Sequence, residues 1–92
     1  NLVRINLSGS ERYDNFIEKL NLSEWNLINL EELNINEYKI ERIEKNSFQK
    51  MPKLNKLNLS SNRIVEIETN AFQHLSLLEY LNLSKSNINI IN

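Results

Sequence analysis

The side chains in this 92-residue chain that could perform acid–base or nucleophilic chemistry are few and far apart. His74 is the only histidine, Asp14 is the only aspartate, and there is no cysteine. A Ser-His-Asp triad needs its three members in contact, and a structural metal site needs a cluster of ligands. Gly9 is the only glycine, so a glycine-rich phosphate loop is excluded. We therefore expect no enzymatic activity, no metal and no cofactor.

The charge balance and hydropathy exclude two further classes of partner. The chain has 11 basic and 12 acidic residues, which gives no electrostatic case for nucleic acid. No apolar run approaches the roughly 20 residues that a membrane-spanning helix needs. Glu31, Glu32 and Glu37 lie close together in the sequence and are interpreted as a solvated acidic patch.

Four asparagines stand in Asn-x-Ser sequences and are candidate N-glycosylation sites: Asn6, Asn21, Asn58 and Asn82. Three of them are followed by Leu-Ser within a pattern that alternates apolar and polar residues, which is typical of a strand. Glycans on adjacent strands would crowd one another, and loops are better acceptors. Asn21 is therefore the expected site among the four.

The elements that position these residues are set by a repeat. Leu57 and Leu59 alternate with Asn58 as in a short strand, and 60–62 has the composition of a turn. The same spacing restarts after 24 residues, at Leu78, and a similar unit begins at Leu30. A period of this length marks a supersecondary unit that buries its apolar face by stacking on its neighbours.

The stretch 54–72 fits L-x-x-L-x-L-x-x-N-x-I-x-x-I-x-x-x-x-F, and on these residues the chain resembles the leucine-rich repeat family. The resemblance implies an α/β solenoid: a right-handed horseshoe with a parallel concave sheet of about four short strands and a mostly irregular convex side. We expect strands near Ile5 and at 33–35, 57–59 and 81–83. Leu59 and Phe72 should be almost fully buried.

The predicted coils span about 2–29, 30–53, 54–77 and 78–92, the last incomplete. The first coil is four residues longer than the period, and the extra length falls within 13–25. Phe16, Ile17 and Leu20 have helical spacing there, after a capping box of Asn15 and Glu18, so a short convex helix is expected. The alternative is an extra coil on Ile17, Leu20, Leu22 and Leu27, which would leave only 13 residues before Leu30.

The asparagine of the turn is kept in one coil, at Asn62. In the family this amide bonds buried backbone groups of the turn. Ser10 and Ser86 take its place in the first and fourth coils, and Tyr38 takes it in the second. Because a tyrosine cannot make the bonds of an amide, we expect the second turn to be satisfied by water or to be distorted.

Two rows of polar residues are predicted on the exposed concave face. One row is Arg4, Glu32, Lys56 and Tyr80, and the other is Asn6, Asn34, Asn58 and Asn82. The charges alternate along neighbouring strands, which suits lateral pairing. Two interpretations remain: a ligand surface, or a solvated face arranged to avoid repulsion. On the first, the partner-binding residues are Arg4, Glu32, Asn34, Lys56, Asn58, Tyr80 and Asn82.

The resemblance is to the typical 24-residue class of animal receptor ectodomains and secreted immune proteins. It implies a protein-recognition module that is extracellular or at the cell surface, takes part in innate immunity and binds a protein ligand or co-receptor. Further coils or caps are expected beyond both ends. The alternatives are a structural or adhesion scaffold and an intracellular regulatory subunit. A competing docking surface is the convex region around Tyr13, Phe16 and Trp25.

Overall fold

The computed structural model describes residues 3–8, 19–86 and 90–91, which form eight short strands joined by turns. In chain order the strands are β1 (Arg4–Ser8), β2 (Lys19–Leu20), β3 (Glu32–Asn36), β4 (Arg42–Ile43), β5 (Lys56–Asn58), β6 (Glu66–Ile67), β7 (Tyr80–Asn82) and β8 (Ile90–Ile91). They make two parallel four-stranded sheets, ordered β1-β3-β5-β7 and β2-β4-β6-β8. Successive strands along the chain thus alternate between the sheets, as expected of a stacked solenoid.

The register of the first sheet follows the sequence repeat. Leu33 lies opposite Leu57, and Leu57 opposite Leu81, so equivalent residues are 24 apart. Between β1 and β3 the offset is 28, as in the pairing of Ile5 with Leu33. The expected leucine-rich repeat solenoid with a parallel sheet is confirmed. The strands predicted at 57–59 and 81–83 begin and end one residue earlier, although the amide of Leu59 still donates to the Asn82 carbonyl at 2.8 Å.

The core lies between the two sheets and is built from the repeating apolar positions. Leu57 and Leu59 face inward from β5 and from the residue just after it, and Ile64 and Ile67 face inward from the returning side of the coil. Leu57, Leu59 and Ile64 are 0 % exposed. The predicted burial of Leu59 is confirmed. Leu75 and its equivalent Met51 are also buried, which the motif did not predict.

The prediction that Phe72 would be almost fully buried is wrong. Its ring stacks on that of Phe48 at 5.8 Å between centroids, with an interplanar angle of 15°. Phe48 is only 1 % exposed, whereas Phe72 is half-buried at the margin of the core. The ring of Phe72 covers Phe48 one repeat earlier, whereas no further ring stacks on Phe72 among the described residues.

The second sheet was not predicted, and it corrects the assignment of Leu20 to the expected helix. Leu20 lies in β2, a strand, and is paired with Ile43 of β4. Phe16, Ile17 and the capping-box residues lie outside the described residues, as do Ser10, Tyr13 and Asp14. Arg4 precedes Lys19 by 15 residues, whereas Glu32 precedes Arg42 by 10, so the extra length of the first coil falls between these strands. The coil limits themselves stay a prediction.

The turn of the second coil is completed by the third coil. The side-chain oxygen of Asn62 accepts from the amides of Tyr38 at 2.8 Å and Ile40 at 3.1 Å, and its nitrogen donates to the Ile35 carbonyl at 3.0 Å. It also donates to the Leu59 carbonyl of its own coil at 2.9 Å. This amide, rather than water, satisfies the turn at Tyr38.

The expected distortion of that turn is present in its backbone. Glu37, Ser61 and Lys85 occupy one position of the repeat and all have positive φ, between 57° and 63°. The second coil has an additional residue in this region, Lys39 at φ 61°, while its equivalent in the third coil, Arg63, does not. Because non-glycine residues are uncommon in this region, the additional residue marks a turn with a distinct backbone course.

Candidate functional site

The outward face of the first sheet, which is the concave face in the resemblance, carries a row of three charged side chains and a tyrosine, which we call the charged row. Arg4, Glu32, Lys56 and Tyr80 lie side by side on β1, β3, β5 and β7. The guanidinium of Arg4 meets the Glu32 carboxylate with two bonds, Nε to Oε1 at 3.0 Å and Nη2 to Oε2 at 3.2 Å. Lys56 Nζ lies 3.9 Å from Glu32 Oε2 on the other side. The lateral charge pairing predicted from the sequence is therefore confirmed.

The pairing sets the electrostatics of the row. The hydrogen bond from Arg4 holds the pKa of the Glu32 carboxyl below its ordinary value, and the nearby charges of Arg4 and Lys56 act in the same direction. The same hydrogen bond to Glu32 raises the pKa of Arg4. One carboxylate thus serves two cations, which leaves the row with an excess of one positive charge.

Beside the charged row runs the asparagine row predicted from the sequence. Asn34 Nδ2 donates to Asn6 Oδ1 at 2.8 Å, which ties β3 to β1. Asn58 and Asn82 instead use their side-chain oxygens to accept from amides two residues later, at 3.0 and 2.9 Å. These bonds fix the side-chain oxygens of Asn58 and Asn82 within their own turns.

Tyr80 ends the charged row and differs from its neighbours. Its side chain is half exposed, and its hydroxyl accepts a bond from Asn82 Nδ2 at 3.2 Å. No carboxylate lies beside Lys56 on the Tyr80 side of the row. A shallow groove runs along this face, and six of the seven residues predicted to bind a partner line it: Arg4, Glu32, Asn34, Lys56, Asn58 and Tyr80. Asn82 lies beside them on β7.

Of the three aromatic residues predicted to mark the competing convex surface, the structure describes one, Trp25. Trp25 is 42 % exposed and so is not a core residue, while Tyr13 and Phe16 lie outside the described residues. His74 is exposed, as expected of a lone histidine, and its Nε2 lies 3.1 Å from Asn46 Oδ1. Among residues 3–8, 19–86 and 90–91, no group of histidine and acidic side chains could hold a metal ion. The same residues contain no helix that could cross a membrane.

The candidate glycosylation sites differ in their surroundings. Asn21 is exposed at the start of the return segment, with its oxygen bonded to the Ser23 amide at 2.9 Å and its nitrogen 3.2 Å from a Glu44 carboxylate oxygen. Asn6, Asn58 and Asn82 stand in the sheet. The use of any of these sites stays a prediction.

Sequence reasoning missed a second polar groove, at the turns that follow β3, β5 and β7. We call it the rim groove; its lining residues are Glu37, Lys39, Ser61, Asn62, Arg63 and Lys85. The available signal was the recurrence of Lys39 at Arg63, 24 residues on. The repeat motif does not include this position, so it did not predict the groove.

Comparison with known families agrees with this architecture. A family profile described as Leucine rich repeat matches residues 15–64 and again 28–88, which together span most of the chain. The chain belongs to the leucine-rich repeat family. A comparison with curated proteins gave no match. Membership makes the chain a protein–protein interaction module, of a kind that is typically not enzymatic.

Proposed function

We propose that the chain is part of an extracellular receptor ectodomain or a secreted immune-type protein of the typical 24-residue class, and that it binds a protein ligand through the concave face. The observation that carries the proposal is the groove along that face. Arg4, Lys56 and Tyr80 project from paired strands, so their backbone is already ordered. Little further conformational entropy is lost there when a partner binds. A solvated face needs no groove and no exposed aromatic at its end.

Tyr80 and Lys56 supply complementary contacts for a protein. A half-exposed tyrosine on a strand offers a large amphipathic surface, and tyrosines are enriched among residues that dominate interfaces. Lys56 shares the single carboxylate of Glu32 with Arg4, so it has charge left for an acidic group of a ligand. The proposal is therefore that a partner places an acidic residue beside Lys56 and packs on Tyr80.

An extracellular location is supported by the four Asn-x-Ser sequences, since acceptor sequences of this type are used in the secretory pathway. The alternative from another class is an adhesion or matrix scaffold whose coils space other domains. It is favoured by the pairing of Arg4 with Glu32, which satisfies the row without any ligand. An intracellular regulatory subunit is the third candidate, since the sequence has no cysteine.

Location can be tested on the protein expressed from its own gene with an epitope tag. Surface labelling of intact cells, analysis of the medium and glycosidase treatment would report exposure and glycans. We expect a glycosidase-dependent shift that is reduced by Asn21→Gln. A protein confined to the cytosol and without glycans would contradict the extracellular proposal.

The binding face can be tested by placing a photo-cross-linking amino acid at position 80 or at position 25 in otherwise identical proteins. We expect a defined cross-linked partner from position 80, and loss of that product in Lys56→Glu. Thermal unfolding would confirm that each variant remains folded. A partner captured from position 25 and unaffected by Lys56→Glu would move the site to the convex surface.

A further inference from the structure

The rim groove contains an excess of positive charge that no ion pair among the described residues uses. Lys39, Arg63 and Lys85 line it together with one carboxylate, that of Glu37. The ion pairs formed among the described residues join Arg4 and Lys56 to Glu32, Arg42 to Glu66, and Lys50 to Glu24. None of these pairs includes a cation of the rim groove. This concentration is notable in a chain whose net charge is −1.

The three cations come from successive coils. Lys39 follows β3, Arg63 follows β5 and Lys85 follows β7. Parallel strands are about 4.8 Å apart, so two steps along the sheet carry the positive charge over roughly 10 Å. Lys39 and Arg63 occupy the same position in two successive coils, whereas Lys85 lies two residues earlier in its coil, at the position of Ser61. The groove therefore offers three cations spread over three coils rather than a single point of charge.

At least two backbone amides of the rim groove are already engaged, so we consider binding of an anion by the side chains. The Ser61 amide already donates to the Ser84 carbonyl at 2.9 Å, and the Glu37 amide to the Ser60 carbonyl at 3.4 Å. Arg63 is exposed and can present its planar guanidinium to two oxygens of one oxyanion. Lys85 is also exposed and supplies a mobile point charge.

We propose that the rim groove binds a linear sulfated glycan whose anionic groups follow the three coils. A repeating chain of sulfates matches three cations on successive coils better than a single small anion does. Of the described residues that line the groove, none is an aromatic residue on which nucleic-acid bases could stack. None of them is an apolar side chain that could enter a lipid surface.

This site is independent of the proposed concave face, because the two grooves share no lining residue. A partner protein could therefore occupy the strands while a glycan lies along the rim. Failure of one proposal leaves the other standing.

The test is affinity chromatography on immobilised heparin over a sodium chloride gradient, followed by titration with heparin in solution. Four variants, the last of them Tyr80→Ala, are compared with the unmodified protein. The rim variant replaces Lys39, Arg63 and Lys85 by glutamine. The matched control replaces Lys19, Lys45 and Lys53, which are exposed elsewhere, and so removes the same charge. The third variant is Glu37→Gln.

We expect the rim variant to bind heparin about tenfold more weakly at low salt, since three exposed charge contacts are lost. Its affinity should also depend less steeply on salt. The matched control should elute with the unmodified protein, and Glu37→Gln should elute later because it removes the one carboxylate. Tyr80→Ala should elute unchanged, which separates this result from the concave site.

Several outcomes would overturn the proposal. Equal losses in the rim variant and the matched control would show attraction to charge in general. Equal binding to desulfated heparin would remove sulfate as the recognised group. Comparable binding to single-stranded DNA or to phosphatidylserine vesicles would replace the glycan by those partners. Absence of retention of the unmodified protein at low salt would leave no glycan site at all.

Discussion

Two junctions between coils use the same positions of the repeat and differ in how well they are completed. We call the contact between the second and third coils the inner junction, and the contact between the third and fourth coils the outer junction. At the inner junction Leu57 is 0 % exposed, whereas its equivalent Leu81 at the outer one is 38 % exposed. Asn62 makes bonds to both of its coils, whereas the buried hydroxyl of Ser86 has no partner among the described residues.

The difference shows that a position in the repeat has no fixed energetic value. A leucine is buried by the coil stacked on it, and a polar side chain is satisfied by the turn of the preceding coil. The free energy of each position is therefore a nearest-neighbour property, as expected of a quasi-one-dimensional protein. The following substitutions test this contrast, beginning with the largest expected effect.

The largest effect is expected for Leu59→Ala compared with Leu83→Ala, the same position one coil later. Leu59 is 0 % exposed, so its truncation should lower the free energy of unfolding by about 2–5 kcal/mol through lost burial and a residual cavity. Leu83 is half-buried and should cost clearly less. Urea denaturation of both variants measures the difference. Equal losses would contradict the contrast between the junctions.

Asn62→Ala removes the amide of the inner junction. The amides of Tyr38 and Ile40 would lose their acceptor, and we expect a loss of roughly 2–4 kcal/mol from unpaired buried groups. Ser86→Ala is the matched control and should be nearly neutral, since its hydroxyl makes no bond among the described residues. Hydrogen exchange should show faster opening at Tyr38 and Ile40. Unchanged exchange there would show that the amide is dispensable.

Ser86→Asn would supply the outer junction with the side chain that completes the inner one. By analogy with Asn62, the new amide should bond the turn of the third coil, adding about 1 kcal/mol to the free energy of unfolding. Ser86→Gln is a useful control, because it carries the same amide on a longer side chain. A gain of equal size in both variants would indicate a cause other than this geometry.

The smallest effect concerns the charged row and its dependence on pH. The folded protein holds the pKa of Glu32 below its ordinary value, chiefly by the hydrogen bond from Arg4. The resulting stability is present above the ordinary carboxyl pKa and is lost as the pH falls through the lower pKa of the folded state. Glu32→Gln should therefore reduce the loss of stability between neutral and acidic pH. Tyr80→Phe, at the outer end of the row, should leave that loss unchanged.

Positions governed by side-chain alternation could be predicted from the sequence. The spacing of Leu57 and Leu59 identified the first sheet, and the row from Arg4 to Tyr80 followed from its period. The second sheet could not be predicted in this way, because strands of two residues such as Lys19–Leu20 carry no periodic pattern. Leu20 was instead assigned to a helix on spacing alone.

The remaining errors concern relations between coils. The burial of Phe72 depends on whether another ring covers it, which its own motif does not specify. The turn at Tyr38 depends on an amide 24 residues away. The rim groove depends on the stacking of three turns whose cations lie outside the motif. Each of these three features depends on residues that are close in space but belong to different coils, so the pattern within one coil does not predict it.

The bonds of Asn62 also determine what can be exchanged between proteins of this architecture. Because the side-chain amide of the third coil completes the turn of the second, the smallest segment that could be transferred between proteins is a pair of coils in their native order. If the third coil alone were transplanted, the side-chain amide of Asn62 would have no preceding turn to bond. In the parent protein, the turn of the second coil would be left with backbone amides that lack an acceptor. Recombination between such proteins should therefore succeed when the crossover point lies outside the span from Ile35 to Asn62. A duplicated single coil should first need a substitution at the position of Asn62 that restores these hydrogen bonds.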